Sequence, residues 1–299
     1  MELAPGIYRG LSFADYTAIN AASNTRLKHL RRSPAHLKAH IDGPQPDKRS
    51  LIVGRAIHTA VLEPDLFPTM FAVADRCTAV TKKLEQCSND GIRFHPELGW
   101  LCGVHLKNVP GSFDDARFVL SPEDRGACTG ASDAIRRHPK GAQILGGEGD
   151  NELTLVWFDA ETGLRCKARL DRYAPEWSTI GDVKSTRDAS SVGFERESYS
   201  HQYQIQAAHY LDGAAACGLT VEHFVFLAVE KEPPYAVGAY RLTDGAIAAG
   251  RDQVRALLRR YAACVETGDY PAYSDDIIDL ALPDYAWSQI ERELTEIAA

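Results

Sequence analysis

No run of about 18 apolar residues occurs in the 299-residue chain, so no membrane-spanning helix is expected. The opening residues, M-E-L-A-P-G-I-Y, carry neither the basic nor the apolar region of a signal peptide, which points to the cytoplasm. Without a secretory context, the odd count of seven cysteines argues against a disulfide framework and leaves buried thiols or metal ligands. Basic residues are in deficit: 33 Lys and Arg against 41 Asp and Glu, net −8. A nucleic-acid partner would therefore need a local basic groove rather than a basic whole. Two local clusters exist, Arg26, Lys28, Arg31 and Arg32, and Arg165, Lys167, Arg169 and Arg172. Both read as solvated faces. Internal repeats and low-complexity tracts are absent too.

What is present is a globular composition. A hydrophobic fraction of 44% supports a full core, in one large domain or two small ones. Short helices are expected after Ser12, over S-N-T-R-L-K-H-L-R-R, and from Ser33-Pro34, where Ser33 is the N-cap and Pro34 the first helical residue. Leu51–Leu62 is an apolar helix stopped by Glu63-Pro64, and Met70–Ala74 a short strand. Ser121–Arg137 is helical and Glu152–Asp159 alternates as a strand. One long helix is expected over Ser191–Cys217. Strands follow over Val221–Glu230 and Tyr235–Leu242, then helices over Thr243–Thr267 and Leu282–Ala299. The order is helices, then a mixed sheet flanked by helices: an α/β (α+β mixed) domain with a small insertion.

Leu164–Ser185 is the segment that carries chemistry. It reads as strand, turn at Pro175, strand, with Asp171 near the end of the first strand and Asp182 and Lys184 on the second. Residues two apart on a strand share a face, so Asp182 and Lys184 point together while Val183 points into the fold. Two carboxylates and an amine suit metal-assisted phosphodiester cleavage, the acids holding a hard cation and the lysine positioning or deprotonating water. The same residues also arise as a solvated edge or an ion pair. His58 projects from the apolar helix four residues after Gly54, a glycine that would allow close backbone approach. It reads as a core histidine or as a third metal ligand. Gln206 and Tyr210, four apart, share a helix face, and Glu152 is a carboxylate neighbour on the preceding strand.

These pieces, with G-I-Y, S-F-A-D-Y, S-P-A-H-L, G-R-A-I-H-T-A-V-L-E-P, E-L-T-L-V-W-F-D-A-E-T-G-L-R-C-K-A-R-L-D, G-D-V-K-S-T, Y-Q-I-Q-A-A-H-Y and H-F-V-F-L-A-V-E, run nearly end to end. In that order they resemble the RecE-type exonucleases of prophages (exonuclease VIII-like), within the PD-(D/E)XK nuclease superfamily. The resemblance implies a PD-(D/E)XK core over residues 1–299, with His58, Asp171 and Asp182 as Mg²⁺ (or Mn²⁺) ligands and Lys184 as the catalytic lysine. The Val183 carbonyl would be a further ligand. Gln206 and Tyr210 match the Q-x-x-x-Y element near site and DNA. By strand position alone, Glu152 is a carboxylate neighbour of the metals, and Arg169, two residues before Asp171 and on its face, is the best candidate for a DNA contact. It further implies 5′ to 3′ degradation of linear double-stranded DNA from its ends, exposing a 3′ single strand for recombination. A homo-oligomeric ring and a single-strand annealing protein are the implied partners, in a phage-infected or lysogenic bacterial cytoplasm.

Residues 75–108 depart from that family. Cys77, Cys87, Cys102 and His105 occur here, the last two as C-x-x-H, in a polar segment with little periodicity. Three thiolates and one imidazole suit a closed structural Zn²⁺ site. An iron–sulfur cluster and three unrelated thiols are the alternatives. Lys82, Lys83, Arg93 and Lys107 give the segment a basic surface. Cys128, Cys166, Cys217 and Cys264 read as buried thiols. Other readings of the whole chain are a structure-specific or end-trimming nuclease with the same site, and a non-catalytic DNA-binding relative.

Overall fold

The structure, a computed structural model, describes residues 2–44, 49–89, 91–95, 97–107, 109 and 117–298. Among them the helices are α1 (Phe13–Ala18), α2 (Asn24–Arg32), α3 (Pro34–Asp42), α4 (Arg49–Leu62), α5 (Phe67–Met70), α6 (Gly103–Leu106), α7 (Pro122–Arg137), α8 (Pro139–Gly146), α9 (Ser191–His201), α10 (Tyr203–Ala216), α11 (Asp244–Thr267) and α12 (Asp284–Ile297). The strands are β1 (Gly6–Tyr8), β2 (Phe71–Val73), β3 (Arg93–His95), β4 (Gly99–Leu101), β5 (Phe118–Leu120), β6 (Asp150–Phe158), β7 (Arg165–Ala174), β8 (Thr179–Thr186), β9 (His223–Glu230) and β10 (Val237–Tyr240).

The expected start signals act as caps. Ser12 Oγ accepts from Asp15 N–H at 3.0 Å, and Ser33 Oγ from His36 N–H at 3.2 Å with Pro34 behind it. Ser121 and Asp124 form a reciprocal capping box.

A six-stranded mixed sheet, in the order β1-β6-β7-β8-β9-β10, forms the centre of the described residues. Only β8 and β9 pair in parallel there, and α9 and α10 make the crossover between them. The period of two divides the sheet side chains between two cores. Phe226 and Ala228 pack with α2, α10 and α11, while Leu227 and Val229 pack with α4 and α7. The expected mixed sheet flanked by helices is therefore the observed architecture.

Several local expectations change. Ser191–Cys217 is not one helix: Gln202 takes a left-handed conformation (φ 58°) and divides it into α9 and α10. Helix α4 starts at Arg49, and β2 is only Phe71–Val73. Strand β1 and helix α8 lay outside the sequence reading; each is short and lacks a clear period. Gly54 does not serve close packing, since a Cβ there would find its nearest neighbour, Ser185 Oγ, 4.0 Å away. Cys217 is half-buried, whereas Cys128, Cys166 and Cys264 are buried.

Under α10 the core holds His209, 1% exposed, with Nε2 donating to the Lys167 carbonyl at 3.1 Å. Burial lowers its pKa to about 4, so the ring is neutral in the fold. The unfolded chain binds this proton at higher pH than the fold does, so stability falls as pH drops from about 6.5 towards 4. The loss is about 3 kcal/mol. Urea midpoints at about pH 7 and about pH 4 should separate widely for the wild type and less for His209→Gln. Equal separation in both would assign the acid sensitivity elsewhere.

Candidate active site

The site is a fork between two strands. β7 and β8 pair at Arg172↔Gly181, Tyr173↔Ile180 and Ala174↔Thr179, then part, β7 staying with β6 and β8 with β9. Asp171 and Asp182 stand where the strands separate. Asp171 Oδ2 spans the gap by accepting from the Val183 N–H at 2.8 Å. The freed edge of β7 is filled by Ala22, whose N–H donates to the Arg165 carbonyl and whose carbonyl accepts from Lys167 N–H, both at 2.8 Å.

On the other side of β7, the β6 ladder is interrupted at Glu152, which lies between the pairs Asn151↔Arg172 and Leu153↔Leu170. Its φ of 52° is rare for a residue with a side chain. Side chains change faces across this point. Leu153 and Leu170 pack in the α10 core, but Asn151 donates to the Leu62 carbonyl of α4 and Arg172 to the Ile144 carbonyl of α8. Backbone strain of this kind is typically of order 1–3 kcal/mol and collects at functional sites. Here it brings Glu152 and Asp171 together towards α4. The ligand atoms of His58, Glu152 and Asp171 all lie within 4.8 Å of one another. His58 Nδ1 is 3.4 Å from Asp171 Oδ2.

Asp182 stands outside that trio. It is 1% exposed, and its Oδ1 accepts from Gln206 Nε2 at 2.5 Å. Its Oδ2 is paired with Lys184 Nζ. Lys184 Nζ lies 5.0 Å from the Tyr203 ring centroid and 5.9 Å from that of Phe226. Tyr210 is buried beneath this group, its ring 6.1 Å from Phe224.

The electrostatics are those of crowded acids. Burial, then the Asp182 charge, holds the Asp171 carboxyl well above the usual carboxylate range. Glu152 is raised by burial and by Asp171. Burial, then Lys184, lowers His58 and favours a neutral imidazole with an available lone pair. Burial also raises the Tyr210 phenol, helped by Tyr16 and all three acids. Three carboxylates, Asp182 buried and Glu152 and Asp171 half-buried, are, among the described residues, paired directly with only two cations, Lys184 and Arg169. This donor set of carboxylates and one imidazole suits a hard divalent cation.

Arg169 is turned inward, paired with Glu152 and donating to the Leu11 carbonyl at 2.7 Å. These contacts hold Arg169 against Glu152. Lys28, which the sequence reading left on a solvated face, approaches the ring that Lys184 also approaches. Lys28 lies 5.6 Å from the Tyr203 ring centroid, and its pKa falls to about 8 through burial and the Lys184 charge. Only the fold sets α2 beside α10, so its position in the basic cluster gave no signal.

A mixed sheet that forks at paired acids and an Asp-x-Lys strand defines a PD-(D/E)XK-like protein. The chain belongs to the family described as PDDEXK-like domain of unknown function (DUF3799), whose model matches residues 131–280. The matched span contains Glu152, Asp171, Asp182, Lys184, Gln206 and Tyr210; His58 and the cysteine cluster precede it. In structure, the chain is similar to a candidate exonuclease from Eubacterium rectale, with TM-score 0.57 and 14% identity over 92% of this chain and 97% of that one. At this identity the likeness is one of fold. A phage-related exonuclease from Haemophilus somnus gives TM-score 0.32 and 13% identity over 46% of this chain and 69% of that one. No curated protein matches the chain in sequence.

Proposed function

We infer that the protein is a divalent-metal-dependent DNA exonuclease that digests linear duplex DNA from its ends. The observation that carries this reading is the fork, where Asp171 and Asp182 stand beside each other and Lys184 pairs with Asp182. His58, Glu152 and Asp171 would hold the cation, Mg²⁺ or Mn²⁺, with Asp182 and the Val183 carbonyl at its border. When bound, the cation supplies positive charge to the scissile phosphate and the departing oxygen.

The remaining steps belong to the side chains. Lys184, paired with Asp182, orients the attacking water and takes up part of the charge on the phosphate. Gln206 fixes the Asp182 carboxylate by its amide, which in turn fixes Lys184. The Tyr203 face seats the ammonium. Lys28 adds a second amine for the backbone of the strand being cut.

The 5′ to 3′ direction, the 3′ strand left for recombination, a ring of copies and an annealing partner are supported by the ordered sequence resemblance to RecE-type enzymes. The same resemblance supports a single nuclease domain over residues 1–299. The test is digestion of duplex DNA labelled separately at its 5′ and 3′ ends, with Mg²⁺ or EDTA. Early, Mg²⁺-dependent loss of the 5′ label is expected. Discrete internal cuts would make it a structure-specific nuclease, and intact DNA throughout would make it a binding relative.

A further inference from the structure

Between β2 and β5 the chain makes a small module remote in sequence from the acids of the fork. It has a hairpin, β3–β4, and the single turn α6. Its core is unusual in composition. The buried residues are Cys77, Cys87, Leu101 and Cys102, with Ala79, Leu106 and Val109 packed partly against them. Three of these four are cysteines, so little apolar area remains to order the segment. Among the described residues of the module, Val80, Leu84, Ile92, Phe94, Leu98 and Val104 are exposed instead.

The thiols converge without bonding to one another. All three are free, and Cys87 Sγ is 3.9 Å from Cys102 Sγ. His105 Nδ1 is 3.4 Å from Cys77 Sγ and 3.3 Å from Cys102 Sγ, and all four ligand atoms lie within 4.8 Å of one another. A tetrahedral ion with metal–sulfur bonds of about 2.3 Å and metal–nitrogen bonds of about 2.0 Å has edges of roughly 3.8 Å between sulfurs and 3.5 Å between sulfur and nitrogen. The observed separations follow those edges.

Main-chain bonds fix the ligand positions. Cys77 N–H donates to the Asn89 carbonyl at 2.9 Å and Cys87 N–H to the Ala79 carbonyl at 2.8 Å. Asn89 Nδ2 donates to Cys102 Sγ at 3.7 Å, as donors do around a metal-bound thiolate. Gly99, at φ 73°, makes the turn that returns β4 towards Cys102.

We propose that Cys77, Cys87, Cys102 and His105 bind one Zn²⁺ in a closed structural site, and that this ion is the core of the module. Four protein ligands leave no position for water or substrate, so the ion organises the chain and performs no chemistry. Soft thiolates select zinc over the hard cation that suits the acids of the fork, so the two sites take different metals. Binding expels the thiol protons into solvent and leaves three thiolates, a neutral imidazole and Zn²⁺.

The test is elemental analysis of the full chain purified without added metal. About one zinc per chain is expected, retained through dialysis against Mg²⁺ and lost in Cys87→Ser and Cys102→Ser. Exchange of the wild-type protein into Co²⁺ should give thiolate-to-cobalt charge transfer and strong tetrahedral ligand-field bands, a readout that does not depend on how the variants fold. Wild-type protein that holds no zinc and gives no tetrahedral cobalt spectrum would overturn the proposal. So would stoichiometric iron in place of zinc, or zinc retained by both variants. None of these results depends on cleavage activity, so the zinc site stands or falls apart from the nuclease reading.

Discussion

Lys184→Ala should lower cleavage of linear duplex DNA by about 10²- to 10³-fold, the usual loss for a positioned group that stabilises developing charge. The ammonium lies between the Asp182 carboxylate and the Tyr203 and Phe226 rings. Lys184→Arg should fail to restore activity, because a planar guanidinium does not fit the seat of a compact ammonium. Lys184→Met is the cleaner control, since it keeps the stem packed against Tyr203. The folded state should survive each change, as read by circular dichroism and thermal melting. The lysine's charge is needed by the phosphate, and Asp182 keeps its hydrogen bond from the Gln206 amide in each variant. Wild-type rates in Lys184→Met would remove Lys184 from the chemistry.

Asp171→Asn should move activity and stability in opposite directions. Cleavage should fall below detection, because the carboxylate shared by the His58 and Glu152 cluster is gone. In EDTA, however, the variant should be more stable than the wild type by about 1–2 kcal/mol, since a carboxyl that resists ionisation beside Glu152 and Asp182 is replaced by a neutral amide. The amide oxygen can still accept from the Val183 N–H, so the fork keeps its bridge. Adding Mn²⁺ should reverse the order: the wild type gains stability through binding to the folded state, and the variant gains little. Urea denaturation with EDTA and with Mn²⁺ measures both halves. A metal-free variant weaker than the wild type would mean that Asp171 is structural.

Much of this was legible in the chain. Ser12, Ser33 and Ser121 announce their helices because a hydroxyl at the N-cap acts locally. The alternation in G-D-V-K-S put Asp182 and Lys184 on one face, where they meet. What was hidden depended on contacts far apart in sequence. The break at Gln202 is a backbone choice within a helix-forming run. The inward turn of Arg169 requires Leu11 and Glu152, and the approach of Lys28 requires α2 to dock on α10. The strain at Glu152 also has no sequence signal, since nothing in N-E-L marks a left-handed residue.

The parallel pairing of β2 with β5 has a consequence for anyone shortening the gene. Phe71 lies beside Phe118 and Val73 beside Leu120, so the chain leaves one end of the pair and must re-enter at the other. A two-residue turn can join antiparallel strands but not these; a parallel connection needs on the order of a dozen residues. The cysteine module occupies that obligatory return path. Excising it flush would leave β2 and β5 unable to lie side by side, whereas a flexible tether of comparable reach would preserve them.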